Sequence, residues 1–553
     1  MVGVATLGLV MLAPASPTPP PAPPPAANAG AVDRNQAVMF AHIVYQLAER
    51  IQVDYARRVE LKDLIAGAVR GLHEEARVPL PDEVLADVRR AKDGELADVL
   101  VEARMRLGNH PALAGARSLF AAVGGFRYAT DPVGGLVTQK VNTYASVDMD
   151  FGVGVELDGA TGQRWTLYQV EYGTAMRWFP PIGWFGPVPA PDAIAPPVAL
   201  PWRIKRVIPG SPAQKAGVRP GDAITHLNGT EITPANAPRL FAEFAIPPGS
   251  PGPGLPIPNG VKWKLTLSRP GAKSPITADL ETRLYVPESA FGVVRREDGT
   301  WDGMLDRENR IGYVRVGPIE DTTDARVDEI VSDLVARGCR GLILDLRWCP
   351  GGYVTPATRL LGLFLPAGSL VARIEFGNPN QATTPPLLRT SGPSRFPDLP
   401  LVVLIGSETV GGGELLAAAL QDNPLDSPNK RAVTIGQRTV GRAYIQNPRL
   451  DAGFGNLLYK LSTGTSLRPN GKPRQRTESS QPNDDWGVRP DPGFEVPVTA
   501  DLSAELGRAA DLHALRPADS DEALPFDDPT KDPFRLAALT YFRKKFAARP
   551  GGG

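Results

Sequence analysis

The sequence predicts a multidomain α/β protein with a helical N-terminal part, a small β-rich domain and a larger α/β core. Three observations carry that expectation. Apolar residues recur at helical spacing between residues 33 and 125. A run punctuated by glycine and proline at 202–229 reads as strand, turn, short helix, turn and strand. After residue 310, apolar strands alternate with helices. A length of 553 residues suits such a division, because single cores stop growing near about 250–300 residues.

In the helical part, Leu61, Leu64, Ile65, Ala68, Val69 and Leu72 follow spacings of three and four, with charges on the other face. Ahead of it, Val2 to Ala15 is small and apolar. Its length is that of a secretory h-region rather than a membrane span, although no Lys or Arg precedes Arg34. A Pro/Ala tract from Ala15 to Ala27 follows, which favours an extended spacer. Residues 1–32 are therefore expected to be a signal-like segment and linker, and residues 33–130 the helical region. The expected localisation is exported, in the periplasm or cell envelope; a plain N-terminal extension is the alternative. No later segment is apolar enough to cross a bilayer.

Composition excludes several classes. The 60 basic residues cancel the 60 acidic ones, so no whole-protein field draws nucleic acid or an anionic membrane, and neither is an expected partner. Two cysteines, Cys339 and Cys349, make neither a disulfide framework nor a cysteine-rich zinc site. Of the five histidines none lies between 227 and 512, and no HExxH motif occurs, so no metal and no cofactor is expected.

In the β-rich domain, Trp202 to Ile208 alternates as a strand. Ser211 is placed to cap a short helix whose first turn holds Pro212, and Gly217 to end it. Gly221-Asp222 and Asn228-Gly229 supply turns on either side of the strand from Ala223. This whole run closely resembles a PDZ domain. Phe151, Gly152, Val153, Gly154 and Val155 resemble the loop in which such domains hold a peptide C-terminus. Backbone N–H groups there can cradle a carboxylate, and the following strand can pair with the peptide. The resemblance places a PDZ domain at 131–285, with an insertion near 159–201 that includes the Pro- and aromatic-rich Trp178-Phe179-Pro180-Pro181.

In the core, Ile311–Val316, Gly341–Leu346, Pro400–Ile405 and Ala432–Ile435 read as buried strands, separated by helices at Asp324–Arg337 and Glu414–Gln421. That order favours parallel pairing with loops gathered at the strand C-termini. Segments of this core, with Lys62 to Leu72 and the PDZ run, resemble the carboxy-terminal processing or tail-specific proteases of peptidase family S41. They are Ile311 to Val316, Leu344 to Gly352 and Trp486 to Pro492. The resemblance covers most of residues 33–500. It implies a ClpP/crotonase-like protease core at 286–500 and leaves 501–553 as a C-terminal tail.

The same resemblance implies serine-type proteolysis by a serine nucleophile with a lysine base. A lysine serves only when burial keeps it neutral, and backbone N–H groups hold the oxyanion. In the family's register, Glu414 places the nucleophile at Gly411, which has no side chain. The motif Gly436 to Ala443 places the base at Arg442, and a guanidinium cannot act as a base. Gly351, Gly352 and Gly412 fall at the backbone-donor positions, and Asp422 near the site. Ser407 and Thr409 are candidates for a displaced nucleophile, Lys430 for a stray base, and Cys349 for a thiol beside the glycine pair. The leading expectation is a degenerate hydrolase homologue, a pseudoenzyme binding peptide or protein C-termini through its PDZ domain, with a catalytically intact relative as a candidate partner. The alternative is an active endopeptidase that cleaves exported or misfolded proteins with a relocated nucleophile. Three glycines at a helix start can still receive a carboxylate, and Arg442 would add positive charge to it.

Overall fold

The computed structural model describes residues 32–115, 117–130, 136–138, 150–158, 164–167, 200–245, 260–378, 380, 386–392, 394–424, 430–451, 457–477, 479–516 and 524–547. The signal-like segment, most of the insertion near 159–201 and residues 425–429 lie outside the described residues.

Five α-helices open the described residues: α1 (Arg34–Asp54), α2 (Leu61–Ala76), α3 (Asp82–Arg90), α4 (Leu96–Arg106) and α5 (Arg117–Gly125). The apolar stripe of α2 faces inward as its spacing requires, with Leu64, Ile65, Ala68, Val69 and Leu72 fully buried. Burying each large aliphatic side chain contributes about 1.5–3 kcal/mol.

Strand β1 (Leu136–Thr138) precedes the region expected to be the PDZ domain, here called the PDZ region, which contains β2 (Asp150–Gly152), β3 (Val155–Asp158), β4 (Arg164–Leu167), β5 (Trp202–Val207), α6 (Pro212–Lys215), β6 (Ala223–Leu227), β7 (Thr230–Glu231), α7 (Ala237–Ala245), β8 (Lys262–Ser268), β9 (Ile276–Glu281) and β10 (Arg283–Tyr285). Its main sheet runs β4-β3-β5-β6-β8-β9, with β7 beside β6. Inward residues of β5 and β8, Trp202 and Trp263, meet Phe241 and Phe244 of α7 edge to face at 5.7 and 5.2 Å.

The core follows with β11 (Ala290–Phe291), β12 (Val294–Arg295), β13 (Trp301–Asp302), β14 (Met304–Asp306), β15 (Ile311–Val316), α8 (Thr323–Ala336), β16 (Gly341–Asp345), α9 (Val354–Gly362), β17 (Leu370–Phe376), β18 (Leu387–Arg389), β19 (Leu401–Ile405), α10 (Gly412–Asp422), β20 (Ala432–Gly436), β21 (Tyr444–Asp451) and β22 (Leu457–Leu467). Two helices, α11 (Ala500–Leu515) and α12 (Pro533–Ala547), end the described chain. The predicted parallel pairing is present: β15, β16, β19 and β20 are neighbours in that order, and each pair is parallel. Because strand side chains alternate, Val314, Leu344 and Val403 face α8, α9 and α10, whereas Tyr313, Ile343 and Val402 face α12. The segment read as a tail thus supplies one helical layer of the core. A second sheet, β1-β22-β17-β18 with β21 beside β22, carries Leu461 into the cluster formed by the N-terminal helices.

Candidate functional site

Strand β19 stops at Ile405 and the chain turns sharply into α10. Thr409 holds the turn: its buried hydroxyl donates to Leu346 O at 2.8 Å and accepts from Gly406 N at 2.9 Å. Val410 N donates to Cys349 O at 3.0 Å, which fastens the turn to the loop after β16. Gly411 follows as the N-cap of α10 with φ 52° and ψ −104°, a conformation in which a side-chain-bearing residue is strained.

Glu414, fully buried, gathers the surroundings. Its Oε2 accepts Gly411 N at 3.0 Å and Arg442 N at 2.8 Å. Its Oε1 accepts Thr439 Oγ1 at 2.5 Å and Gly441 N at 2.7 Å. Arg474, also buried, lies 3.8 Å from Oε2 and donates through Nη1 to Gly411 O at 2.7 Å and to Arg442 O at 3.3 Å. Burial draws the Arg474 guanidinium below its ordinary value and Glu414 acts in the opposite sense. The sequence used Glu414 only to set register. Its position three residues after an N-cap is a capping-box signal; nothing in the sequence singles out Arg474.

The glycine pair after Cys349 abuts this turn. A Cβ on Gly351 would sit 2.9 Å from Gly412 N, and one on Gly412 would sit 3.3 Å from Gly352 N. Among the described residues the N–H groups of Gly352 and Gly412 meet no hydrogen-bond acceptor. Gly352 is held by Ile319, which donates to Gly351 O at 2.8 Å and accepts from Tyr353 N at 2.9 Å. The loop carrying Arg442 rests on the late segment: Thr439 N donates to Val488 O at 3.1 Å, and Val488 N to Thr439 Oγ1 at 2.8 Å.

The structure therefore brings Gly411, Arg442, Gly351, Gly352 and Gly412 together. Asp422 does not join them. It ends α10, eleven residues and roughly 16 Å along the helix from Gly411, and pairs with Arg468 at 2.5 Å. Lys430 pairs with Asp491. Cys349 is wholly buried and its thiol is pushed up to about 12 by that burial, so it presents no thiolate. Thr409 is committed to the turn, whereas Ser407 is exposed.

Ser407, Val410 and Arg442 line a cavity of about 840 Å³ between the core and the PDZ region. Lys205 to Pro209, from β5 onward, form one wall, and Gly507 and Ala514 of α11 another. Two contacts hold these walls in place: Glu288 N donates to Pro209 O at 3.0 Å, and Gln214 Nε2 to Ala514 O at 3.2 Å.

In the PDZ region, Ser211 Oγ accepts Gln214 N at 3.2 Å, the cap the sequence predicts. Phe151 and Gly152 lie on β2, paired to Leu284 and Arg283 of β10. Val153 is buried, its carbonyl accepting Ala213 N at 2.9 Å, and the Gly154 carbonyl accepts Ile208 N at 2.9 Å. Val155 begins β3. Neither long edge of β3 is open: Val155–Asp158 pairs with Leu167–Arg164 of β4 on one side and with β5 on the other. The strand that the sequence offers to a peptide already has a partner from the insertion.

Residues 310–491 match peptidase family S41 and residues 203–241 match the PDZ domain. Carboxy-terminal processing protease CtpA of Bacillus subtilis is 26% identical over 242 residues, which are 44% of each chain. The carboxyl-terminal-processing protease of Synechocystis sp. is 27% identical over 305 residues, 55% of this chain and 61% of that one. The chain spans about half the length of the curated relatives it matches. Among solved structures, the photosystem II D1 C-terminal processing protease superposes with a TM-score of 0.40 at 17% identity, covering 88% of this chain and 97% of that one.

Proposed function

For a chain that carries a peptidase family S41 domain and a PDZ domain, and has carboxyl-terminal processing proteases among its relatives, we propose a receptor for peptide or protein C-termini in which proteolysis is lost or impaired. One observation carries this reading. A backbone cradle surrounds position 411, yet that position has no side chain, and the neighbouring loop presents the Arg442 guanidinium. Acyl transfer needs a nucleophile and a neutral base. Binding a carboxylate needs only donors and positive charge, which Gly352 N, Gly412 N and Arg442 supply. The chain is read as exported, and no described helix is long and apolar enough to cross a membrane. A catalytically intact homologue is the candidate partner.

The test is cleavage of an unstructured protein with an apolar C-terminus by the unaltered chain, by Gly411→Ser, and by Gly411→Ser combined with Arg442→Lys. Inactivity of the unaltered chain and recovery in the double variant support the reading. Sustained cleavage by the unaltered chain that Ser407→Ala abolishes supports the second reading, an endopeptidase with a displaced nucleophile. The exposure of Ser407 on the cavity wall favours that alternative.

A further inference from the structure

Besides Arg442, the 840 Å³ cavity is lined by the half-buried Arg206, the exposed Arg508 and the buried Arg315, and the proposed receptor role does not use the last of these. Arg315, on β15, is 4% exposed, and among the described residues no carboxylate lies within ion-pair distance of it. Its Nη2 donates to Ala510 O at 2.9 Å, its plane lies 4.3 Å from the Phe291 ring, and its Nε meets no acceptor. Asp345, on the neighbouring strand, is occupied by Arg347 at 2.6 Å and by the Tyr313 hydroxyl at 2.7 Å. Buried guanidinium groups ordinarily carry a counter-charge, because leaving one unpaired costs free energy. Burial draws this one below its ordinary value, with Tyr313, Asp511 and Asp345 acting in the opposite sense.

Arg442 is an unpaired cation that lines the same cavity. Its side chain has no hydrogen-bond or ion-pair partner among the described residues, and its Nε is buried without an acceptor. Of the acidic residues of the cavity, Asp511 acts on Arg315 only through space, with no ion pair to it. Glu288 is held by Arg295 at 2.6 Å, and Glu320 and Glu408 have partners of their own.

We infer that the cavity selects peptide termini bearing two carboxylates, an α-carboxylate held by Arg442 with Gly352 N and Gly412 N, and an Asp or Glu side chain at the last position held by Arg315. This rests on the peptide-terminus reading above and names its specificity. The two charges divide the task by position. Arg442 shares its loop anchor, Glu414, with Gly411 and therefore stands beside the glycine cradle. Arg315 enters from the central sheet, under α11.

The experiment titrates the full chain into three fluorescein-labelled decapeptides, followed by anisotropy. They are identical except at the end: Glu with a free carboxylate, Gln with a free carboxylate, and Glu as the carboxamide. The free-acid Glu peptide is expected to bind about tenfold or more tightly than either of the others. Arg315→Met should erase the Glu-over-Gln preference and keep the acid-over-amide one, and Arg442→Gln should do the reverse. If Arg315→Met does not fold, Arg315→Lys, which keeps the charge, should retain most of the Glu preference, and the peptide series on the unaltered chain decides by itself. Binding of Glu and Gln peptides within twofold of each other overturns the inference and leaves the receptor reading intact. Failure of all three peptides to bind overturns both.

Discussion

Gly411 and Arg442 donate their backbone N–H groups to the same oxygen, Oε2 of Glu414, at 3.0 and 2.8 Å. Arg474 Nη1 closes on the carbonyls of the same two residues. The two positions are thus held through main-chain atoms, whatever side chains they bear. That is how the local geometry persists with a glycine and an arginine there.

Removing this clamp is expected to be severe. Glu414→Ala strands four hydrogen-bond donors and leaves Arg474 as an uncompensated buried cation. A loss above about 3 kcal/mol is expected, and Glu414→Gln should cost less. Urea unfolding followed by far-ultraviolet circular dichroism checks the order of the two midpoints.

The glycines of the cradle differ in what they tolerate. A Cβ on Gly411 would meet only Gly351 Cα, at 3.9 Å, so Gly411→Ser fits in space and bears the strain of φ 52° with ψ −104°, about 1–3 kcal/mol. A Cβ on Gly352 would lie 2.1 Å from Ile319 O. Gly352→Ala is therefore expected to lower the melting temperature more than Gly411→Ser, which calorimetry on both variants decides.

Acid should weaken the packing of α11 on the core through His513. Its Nε2 contacts Val293 O at 2.7 Å, its ring stacks on Phe526 at 4.2 Å, and burial depresses its pKa to about 3. The unfolded chain has the ordinary value near ~6.5, so between the two it binds a proton that the native state refuses. Stability therefore rises with pH across that window, by about 1.4 kcal/mol per unit at its steepest, and levels off above pH ~6.5. Depressed carboxylates such as Asp527 lose their stabilisation at lower pH, below their ordinary value of 3.8. His513→Phe is expected to flatten unfolding midpoints between pH ~4.5 and ~6.5; an unchanged slope there rejects the assignment.

The C-terminal helix depends on one buried arginine. Arg347 donates to Asp532 at 2.7 Å and to Asp345 at 2.6 Å, all three residues being almost wholly inaccessible. Arg347→Ala leaves Asp345 with no cation and Asp532 with Arg535 alone, and should cost about 3–5 kcal/mol. The expected signature is fast amide exchange across α12 by mass spectrometry while α8 stays protected. Uniform loss of protection in both helices would contradict it.

Much of this was legible because it is local. The cap of Ser211 on Gln214 N, and the turn at Asn228, where φ is positive, depend on residues two or three apart. The parallel strands were legible because continuous apolar runs with intervening helices permit little else. The start of α10 was read at Glu414 and lies at Gly412, because the Glu414 side chain caps the turn before it. The stretch read as a tail holds the helix Ala500–Leu515, because Thr499 caps it and its far end packs on both the core and the PDZ region. Pairings such as Glu414 with Arg474 or Arg347 with Asp532 join residues 60 and 185 positions apart, and only the folded chain decides them. The unpaired state of Arg315 is likewise a property of its neighbours, not of its own sequence.

The pairing of β4 with β3 has a kinetic meaning. An extended segment that seeks β3 competes with a strand tethered a few residues away, whose effective concentration is of millimolar order. Free peptides at micromolar levels lose that competition unless another contact holds them first. An extended ligand reaches β3 only as fast as β4 lets go.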